Sequence, residues 1–419
     1  MSAARRTHRP SSRRARLATL ACAALVAVTL TACSDGGGGT SDGGSATSTA
    51  DDGSATTSAS SGQGASSGAG EPLEGTPFAV EEVDSFDEPW AMAFLPGGDL
   101  LVTERSGTMH LRDQASGERA EVAGVPEVVH SGQGGLGDVL PGPTFADDGT
   151  VYLSWAEEAE QGNRAAVGQA RLVTDGDEPR LEGLEVIWRQ QPSVDGDAHY
   201  SHRLAIDPEA EHLYVSSGDR QEQDPAQDTS NTLGTIVRLD LDGVPVADNP
   251  LADEDGAAPG IYSYGHRNPL GLEVAPDGRL WSSEMGPEGG DELNLVEAGG
   301  NYGWPEASNG SDYGGGDIPD HAEGDGFVAP AVSWDPSISP GSLMIYDGEL
   351  FADWEGDAFL GGLSGESLTR VALDGAQATE EETWEMGERI RAVEAGPDGA
   401  IWVLEDAGSG RLLRLTPAG

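Results

Sequence analysis

One hairpin pattern, repeated six times between Trp90 and the end of the chain, restricts the fold more than any other feature of the sequence. Each copy has an alternating apolar segment, a turn rich in Pro, Asp and Gly, a second apolar segment and a polar end. Alternation with a period of two on both sides of such a turn is typical of a β-hairpin. The copies occupy residues 93–105 (AFLPGGDLLVTER), 140–155, 204–219, 272–284 (LEVAPDGRLWSSE), 344–362 and 393–406 (VEAGPDGAIWVLED).

The spacing of the copies sets the size of the repeated unit. Successive units are 45, 67, 66, 73 and 50 residues apart, so each is long enough for four strands. A sheet of that size cannot cover both of its own faces, so repeated sheets have to stack on one another. We therefore predict an all-β fold, a six-bladed β-propeller of four-stranded antiparallel blades; a pair of β-sandwiches is the alternative. The predicted units start at Trp90, Gly135, His202, Asn268, Gly341 and Arg391.

The N-terminal region has the composition of an export signal followed by a tether. An Arg-rich start precedes the uncharged apolar residues 17–32, a stretch shorter than the ~20 residues of a transmembrane helix. It ends in Leu-Thr-Ala-Cys, which resembles the bacterial lipobox, so we predict that residues 1–33 are a lipoprotein signal with Cys33 as the lipidated residue. Residues 34–71 are almost entirely Gly, Ser, Thr, Ala and Asp, which predicts a disordered tether before the propeller domain of residues 72–419.

These features predict an exported protein, lipid-anchored to the outer face of the bacterial cytoplasmic membrane and touching the membrane through that anchor only. A plain signal peptide with a coincidental cysteine is the alternative, and both the Sec and twin-arginine routes stay open. The chain has two cysteines. With Cys22 removed in the signal and Cys33 lipidated, no thiol remains for a disulfide, a metal site or a nucleophile.

The charge of the chain excludes nucleic acid as a partner. All 23 basic residues are arginine, and six of them precede the apolar run, which leaves 17 arginines against 73 acidic residues in the rest of the chain. Phosphate binding needs clustered cations, whereas this field repels polyanions. Solubility, tolerance of salt or a capacity for divalent cations are the consequences that such acidity ordinarily has.

Five segments between the hairpins are dense in Gly, Pro and polar residues. A histidine beside Asp197 and upstream of a Gly-Asp-Arg turn can act as a general base, because neutral imidazole has a pKa near the working pH. Two arginines separated by one residue project to the same side of a strand. A structural histidine and a surface ion pair are the alternatives for these residues. The segments are residues 132–138 (GQGGLGD), 197–204 (DAHYSHRL) with 217–220 (SGDR), 262–271 (YSYGHRNPLG), 283–305 (SEMGPEGGDELNLVEAGGNYGWP) and 387–393 (GERIRAV).

The order, spacing and content of these segments resemble the soluble PQQ-dependent sugar dehydrogenases, the glucose/sorbosone dehydrogenase family. GHRNP followed by EMGPxGGDELNL and NYGWP is the specific combination, and the likeness runs from about residue 90 to 415, with the aldose sugar dehydrogenase branch as the closer match. The resemblance implies that an aldose substrate is oxidised at its anomeric hydroxyl to a lactone. Hydride passes to PQQ, and the electrons then pass to an acceptor that the sequence does not identify.

The resemblance also implies roles for particular residues. His199 falls on the catalytic base and Asp219 on the carboxylate that orients it, whereas His202 is expected to be dispensable. Asp291 and Glu292 are expected to orient loops. PQQ is a planar tricarboxylate, which suits arginine forks, and calcium (Ca²⁺) takes oxygen ligands such as turn carbonyls. The implied cofactor residues are Gln133, Arg267, Asn268, Ser337, Arg389 and Arg391; the implied calcium ligands are the carbonyls of Gly286 and Pro287, with Asp312 for a second, structural calcium.

The chain departs from the family pattern at two positions. The glucose enzymes have a lysine that contacts the quinone. The corresponding position in this chain is at about Ser364, and the chain has no lysine at all. One positive donor is lost, so the affinity for PQQ is the property in question. Ala198 replaces an acid close to the substrate, so the sugar preference is expected to differ. Trp334 is a candidate wall for the apolar face of a pyranose.

Two other functions are compatible with a propeller. An inactive propeller that binds a glycan or protein partner is supported by the missing lysine. A calcium-dependent hydrolase would need a metal with open side-chain ligands, and the sequence offers carbonyl-rich turns instead. The joint presence of His199, Asp219 and the cofactor candidates favours the dehydrogenase, because only the site residues, and not the fold, discriminate between these functions.

Overall fold

The computed structural model describes residues 70–176, 178–207 and 209–419. The predicted signal, its Cys33 and the predicted tether up to residue 69 lie outside the described residues. Within the described part, no helix is long and apolar enough to cross a membrane.

Nearly all regular structure is antiparallel β-sheet, in six sheets that we call blades 1 to 6. The chain enters through two strands, β1 (Glu71–Pro72) and β2 (Phe78–Phe86). Blade 1 contains β3 (Pro89–Phe94), β4 (Leu100–Glu104), β5 (Thr108–Arg112) and β6 (Arg119–Glu121). Blade 2 contains β7 (Leu136–Pro141), β8 (Thr150–Glu158), β9 (Asn163–Val173) and β10 (Arg180–Arg189), with the short helix α1 (Phe145–Asp148) after β7. Blade 3 contains β11 (Ser201–Asp207), β12 (His212–Ser217), β13 (Thr235–Asp240) and β14 (Ile261–Tyr264), with a 3₁₀ turn at Asp224–Gln227.

The second half repeats the plan with one insertion. Blade 4 contains β15 (Pro269–Val274), β16 (Leu280–Glu284), β18 (Asp291–Leu295) and β20 (Val332–Trp334), and a small ribbon beside it pairs β17 (Glu288–Gly289) with β19 (Gly310–Ser311). Blade 5 contains β21 (Pro340–Ile345), β22 (Ala358–Gly362), β23 (Ser367–Asp374) and β24 (Gln377–Glu385), with a 3₁₀ turn at Ala352–Trp354. Blade 6 contains β25 (Ile390–Ala395), β26 (Ile401–Glu405) and β27 (Gly410–Pro417).

The six blades form a closed ring. The first strands of the blades, β3, β7, β11, β15, β21 and β25, each pack against the next, and β25 packs against β3. The predicted six-bladed β-propeller is therefore confirmed. Each predicted unit start lies within one residue of the start of one of these inner strands.

Blade 6 is completed by the N-terminal strand, which the repeat pattern does not show. The last unit supplies only three strands, and β2 pairs with β27 as the fourth, from Phe78 opposite Pro417 to Phe86 opposite Gly410. The two ends of the described chain are thereby joined in one sheet. This pairing closes the ring, because β2 belongs to the last blade and the chain passes from it directly into β3 of the first blade.

Apolar layers between adjacent blades form the core. The second strands β4, β16, β22 and β26 are buried at every residue, because each lies inside a blade that is covered on both faces. The layer between blades 4 and 5, for example, contains Trp281, Leu293, Leu343, Leu360 and Val371. Each such side chain contributes about 1.5–3 kcal/mol through burial.

A shared irregularity positions the functional loops. All six inner strands have a shift of register within their first residues, for example between Ser201 and Leu204 of β11 and between Ile390 and Ala392 of β25. Such bulges bend a strand and redirect its side chains. Because the six inner strands begin at the same end of the ring, the loops that precede them converge there.

Candidate active site

A cavity of about 270 Å³ opens at the end of the ring where the inner strands begin. Its wall is formed by the loop that leads into blade 2 and by the other five blades with their adjoining loops, so it lies on the central axis. It is lined by Trp90, Arg105, Gly132, Gln133, Tyr200, Ser201, His202, Leu270, Met285, Ser339, Leu363, Arg389, Arg391 and Asp406.

The predicted base and its carboxylate are hydrogen-bonded partners. His199 Nδ1 lies 2.7 Å from Asp219 Oδ1, and both side chains are buried. The backbone N–H of His199 donates to Oε1 of Gln133 over 2.7 Å, which joins a third predicted residue to the pair. His199 has φ +48°, and Ser201 and His202 also lie in the left-handed region, at +58° and +50°. Non-glycine residues adopt this conformation at a cost, so three within four residues mark a locally strained segment.

Asp219 is held on all sides. Its Oδ1 also accepts the backbone N–H of Gln221 (2.8 Å), its Oδ2 accepts the indole N–H of Trp304 (2.7 Å), and its own N–H donates to the carbonyl of Arg267 (2.8 Å). Such contacts prevent the carboxylate from rotating, so Oδ1 stays directed at the imidazole.

The electrostatics keep His199 neutral near neutral pH. Burial lowers the pKa of His199, the hydrogen bond and charge of Asp219 oppose this in part, and Arg267 and Arg220 lower the pKa further. With Nδ1 committed to Asp219, Nε2 is the ring nitrogen that remains to accept a proton. Nε2 has no hydrogen-bond partner in the part of the chain that the structure describes.

The neighbouring His202 has a structural environment. Its ring stacks on Trp90 with centroids 4.9 Å apart and planes inclined by 8°, and its Nδ1 lies 2.9 Å from Ser154 Oγ. Burial lowers the pKa of His202 to about 3, and Arg203 and Arg220 add to the shift. His202 therefore stays uncharged near neutral pH.

Arg267 and Asn268 carry buried donors without partners. The Nε of Arg267 and the Nδ2 of Asn268 are buried and have no hydrogen-bond partner among the described residues. The rest of Arg267 is fixed, because Nη1 donates to the carbonyl of Met285 (3.0 Å) and Nη2 to the hydroxyl of Tyr313 (3.2 Å). Oδ1 of Asn268 accepts the hydroxyl of Ser201 (3.0 Å). Unpaired buried donors are costly, so an anionic or carbonyl-rich ligand would satisfy them.

Arg389 and Arg391 form one cationic wall of the cavity. Nε of Arg389, which directly precedes β25, lies 2.8 Å from Asp406 Oδ2, and Nη2 of Arg391, within β25, lies 2.8 Å from Asp406 Oδ1, so the two guanidinium groups share one carboxylate. Burial would raise the pKa of Asp406, but Arg391 and then Arg389 lower it overall. Two cations with one counter-ion leave net positive charge in an otherwise acidic protein.

Arg105 adds a third cation that the sequence reasoning did not single out. It follows β4, lines the cavity and donates to the carbonyls of Gly132 and Gly134. Ser364, at the position of the missing lysine, instead bonds to the hydroxyl of Ser339 (2.8 Å).

The turn after β16 has the carbonyl-rich form expected of a hard-cation site. Its amide at Gly286 donates to Asp291 Oδ1 (2.9 Å), and a side chain at Gly286 would collide with the carbonyl of Gly289. Within the described residues, neither the Gly286 nor the Pro287 carbonyl accepts a hydrogen bond, so both oxygens are free to bind a cation. Asp291 also accepts bonds from the loop of Ser337 and Ser339, so it orients loops as predicted.

Three residues with predicted roles in the site have other surroundings in the structure. The indole of Trp334 belongs to the apolar layer between blades 4 and 5 and donates to Glu380 Oε2 (2.8 Å), so it cannot be a wall of the sugar site. Ser337 donates to Asp291 (2.7 Å), and Ser339 lines the cavity in its place. Asp312 lies in a turn closed by its own backbone, and the described residues contain no group of three or more metal-binding side chains, so a second calcium there remains a prediction.

The residues that the sequence reasoning missed share a signal. Arg105 and Asp406 come directly after the second strand of a repeated hairpin, and Asp219 comes two residues after such a strand; those ends all lie at the cavity end of the ring. Trp304 belongs to the quoted NYGWP motif, but only the fold brings it to Asp219.

Comparisons with known proteins identify the family of the chain. Residues 86–414 match the family model Glucose / Sorbosone dehydrogenase. Aldose sugar dehydrogenase YliI of Escherichia coli (strain K12) is 36% identical over 342 residues, which cover 80% of this chain and 91% of that protein. The crystal structure of the soluble aldose sugar dehydrogenase from Escherichia coli in the apo-form has a TM-score of 0.78 and 35% identity, covering 81% of this chain and 100% of that one. The PQQ-bound form of aldose sugar dehydrogenase from Streptomyces coelicolor has a TM-score of 0.68 and 30% identity, covering 81% and 98%.

Proposed function

This chain belongs to the glucose/sorbosone dehydrogenase family, and from that membership we propose that it oxidises the anomeric hydroxyl of aldose sugars to lactones, with PQQ as the hydride acceptor. The observation that carries the proposal is the hydrogen-bonded pair of His199 and Asp219, 2.7 Å apart, next to a cavity lined by three arginines. A base beside a cationic cavity is the arrangement that removal of a hydroxyl proton and binding of an anionic quinone require.

The donors of the site fit PQQ. The group is planar and carries three carboxylates, and when bound it supplies a quinone that takes up hydride. Arg389, Arg391 and Arg105 would bind its carboxylates from the cavity wall. The unpaired donors of Arg267 and Asn268 would gain the partners that the protein does not give them.

The Gly286 turn fits calcium as the second cofactor. Free carbonyl oxygens are the ligands that this hard cation prefers, and its charge supplies polarisation of a bound carbonyl. Gly286 and Pro287 would provide two such ligands, and Asp291 holds the turn in place from its amide side.

His199 acts as the proton acceptor in this proposal. Asp219 fixes the tautomer with Nδ1 as the donor, which leaves Nε2 to take the proton of the sugar hydroxyl. Because its pKa is lowered, His199 is neutral and ready to accept at neutral pH. The fixed charge of Asp219 then stabilises the imidazolium that forms.

The proposed function is tested by titrating the full-length protein with PQQ in calcium and recording the absorption spectrum of the cofactor. Glucose and a dye acceptor are added next. We expect stoichiometric binding and sugar-dependent reduction of the dye, and removal of calcium with a chelator should weaken both. No binding of PQQ by protein with an intact β-sheet circular dichroism spectrum would instead favour the inactive binding propeller.

We also propose that the protein is exported and held at the outer face of the cytoplasmic membrane by lipid on Cys33. The order of charge, apolar run and cysteine in residues 1–33 supports this. Cys33→Ser should abolish incorporation of radiolabelled fatty acid and release the protein from the membrane fraction. Unchanged labelling and fractionation would exclude the anchor.

A further inference from the structure

We propose that Trp304 is a positioning residue for the reaction: its indole N–H holds the carboxylate of Asp219 in the orientation that His199 requires. The inference rests on the proposed function, in which His199 is the proton acceptor. It extends the base and its carboxylate to a third group, which comes from a different blade.

The geometry gives each oxygen of Asp219 a separate task. Oδ1 faces His199 Nδ1 (2.7 Å) and the amide of Gln221 (2.8 Å), whereas Oδ2 faces the indole N–H of Trp304 (2.7 Å). Asp219 is completely buried, and Trp304 is the one hydrogen-bond partner of Oδ2 among the described residues. Loss of that N–H would therefore leave half of a buried carboxylate without a donor.

Trp304 is itself rigidly placed. It belongs to the long connection between β18 and β20 of blade 4. This connection contacts the end of blade 3, where Asn301 pairs with Tyr264. Its backbone N–H donates to the carbonyl of Gly265 (2.9 Å), and its carbonyl accepts the side-chain amide of Gln227 (2.7 Å). The indole packs with Ala226 and Ile318. These contacts fix the direction of the N–H before any ligand arrives.

The same indole also touches the proposed cofactor side. The guanidinium carbon of Arg267 lies 5.3 Å from the centroid of the Trp304 ring, within the range of a cation–π contact. A cation over the ring withdraws electron density from it, which makes the N–H a stronger donor to Asp219. Trp304 thus links a cofactor-binding arginine to the base through one side chain.

The consequence for proton transfer has a definite sign. The charged groups that act most strongly on His199 are Asp219 and Arg220, which follow β12, and Arg267, which precedes β15. An N–H donor spreads the charge of Asp219, so its attraction for an imidazolium is weaker. Without the donor, Asp219 attracts the proton of His199 more strongly, and His199 stays protonated to a higher pH. Because the base must be neutral to act, activity should then be lost at a higher pH than in the wild type.

The test replaces Trp304 by Phe, which keeps an aromatic ring and removes the donor. The matched control is Trp334→Phe, because Trp334 is also buried and also donates to a carboxylate (Glu380, 2.8 Å), but lies between blades 4 and 5. Two quantities are measured on the full-length protein: the pH dependence of kcat/KM with PQQ, calcium and glucose, and the NMR titration midpoint of the His199 ring without PQQ, assigned with His199→Asn.

For Trp304→Phe we expect both midpoints to rise by about one pH unit, so that kcat/KM on the acid side falls about tenfold while the high-pH plateau changes little. Trp334→Phe should move neither. An equal loss of kcat/KM at all pH values with an unmoved NMR midpoint would show a merely structural role and overturn the proposal.

A second variant and the NMR midpoint test the proposal if Trp304→Phe does not fold or the wild type is inactive. If Trp304→Phe does not fold, benzothienylalanine incorporated at position 304 removes only the N–H and preserves the bicyclic shape; a midpoint equal to that of the wild type would overturn the proposal. If the wild type shows no turnover, the NMR midpoint still reads the coupling between Trp304 and His199. Failure of the proposed function and failure of this inference are thus distinguishable.

Discussion

The regions around His199 and His202 begin from the same local structure and end with opposite properties. Both histidines are buried, both have a left-handed backbone, and only three positions separate them. The partner of His199 is a carboxylate, whereas His202 has a serine hydroxyl and the face of Trp90. Burial lowers the pKa of both rings, but only at His199 does a negative charge oppose it.

A compensating charge separates a base from a packing residue in this ring. A buried imidazole can take up a proton only if a neighbouring group compensates the new charge. Asp219 provides that compensation for His199. His202 lies between Arg203 and Arg220, which repel an added proton, so its ring is suited to fill the end of the ring and not to transfer protons.

Loss of the proposed base should strongly lower the rate of the reaction. His199→Ala should reduce kcat by about a thousandfold, because a positioned general base contributes on the order of 10²–10⁴ in rate. PQQ binding should be nearly intact, since His199 is not among the arginine and amide donors. Steady-state kinetics and a PQQ titration of the same preparation check both. Activity that survives in His199→Ala and disappears in His202→Ala would reverse the comparison.

The next effect is on stability. His202→Ala should lower the free energy of unfolding by about 3 kcal/mol, because it removes a fully buried ring that stacks on Trp90. Turnover per folded molecule should be retained, as the sequence interpretation of His202 as dispensable requires. Urea unfolding and kinetics at low temperature separate the two quantities. An unchanged urea midpoint would mean that the stacking of the His202 ring on Trp90 does not stabilise the fold.

His202 should also make the free energy of unfolding depend on pH. The pKa of His202 is about 3 in the folded protein and about 6.5 in an unfolded chain, so between these values only the unfolded state binds the proton. Stability should therefore be complete above pH 6.5 and decrease as the pH falls, by about 2 kcal/mol between pH 7 and pH 5. His202→Phe should lack this component. Parallel curves of unfolding free energy against pH for the two proteins would contradict it.

Much of the architecture was predictable because the same hairpin recurs. Alternation and turn chemistry are local, so the start of every inner strand could be placed to within one residue. The closing strand β2 could not, because FAVEEVDSF has no turn partner nearby and pairs with residues more than 300 positions away. Its place is decided by ring closure, a property of the whole chain.

The site shows the same division. The spacing of Arg389 and Arg391 and the family motif of His199 and Asp219 each predicted a pair. The members of each pair lie close together, although Arg389 precedes the strand on which its spacing placed it. The aromatic residues were harder. Nothing local distinguishes Trp334, which packs between blades, from Trp304, which reaches Asp219 through a long connection between strands. Which face of the sheet an aromatic side chain covers is set by tertiary packing.

Tyr200 lies between the two histidines in the sequence, and its hydroxyl should contribute only a little to stability. The hydroxyl of Tyr200 donates to Oδ1 of Asn163, and the Arg220 guanidinium lies over its ring at 3.6 Å. Tyr200→Phe keeps the ring and loses one hydrogen bond, so unfolding should become easier by about 1 kcal/mol. If the two histidine regions are independent, kcat and its pH dependence should not change. A shifted pH profile in Tyr200→Phe would show instead that the strained segment transmits changes from one histidine to the other, and the two regions would then have to be treated as one unit.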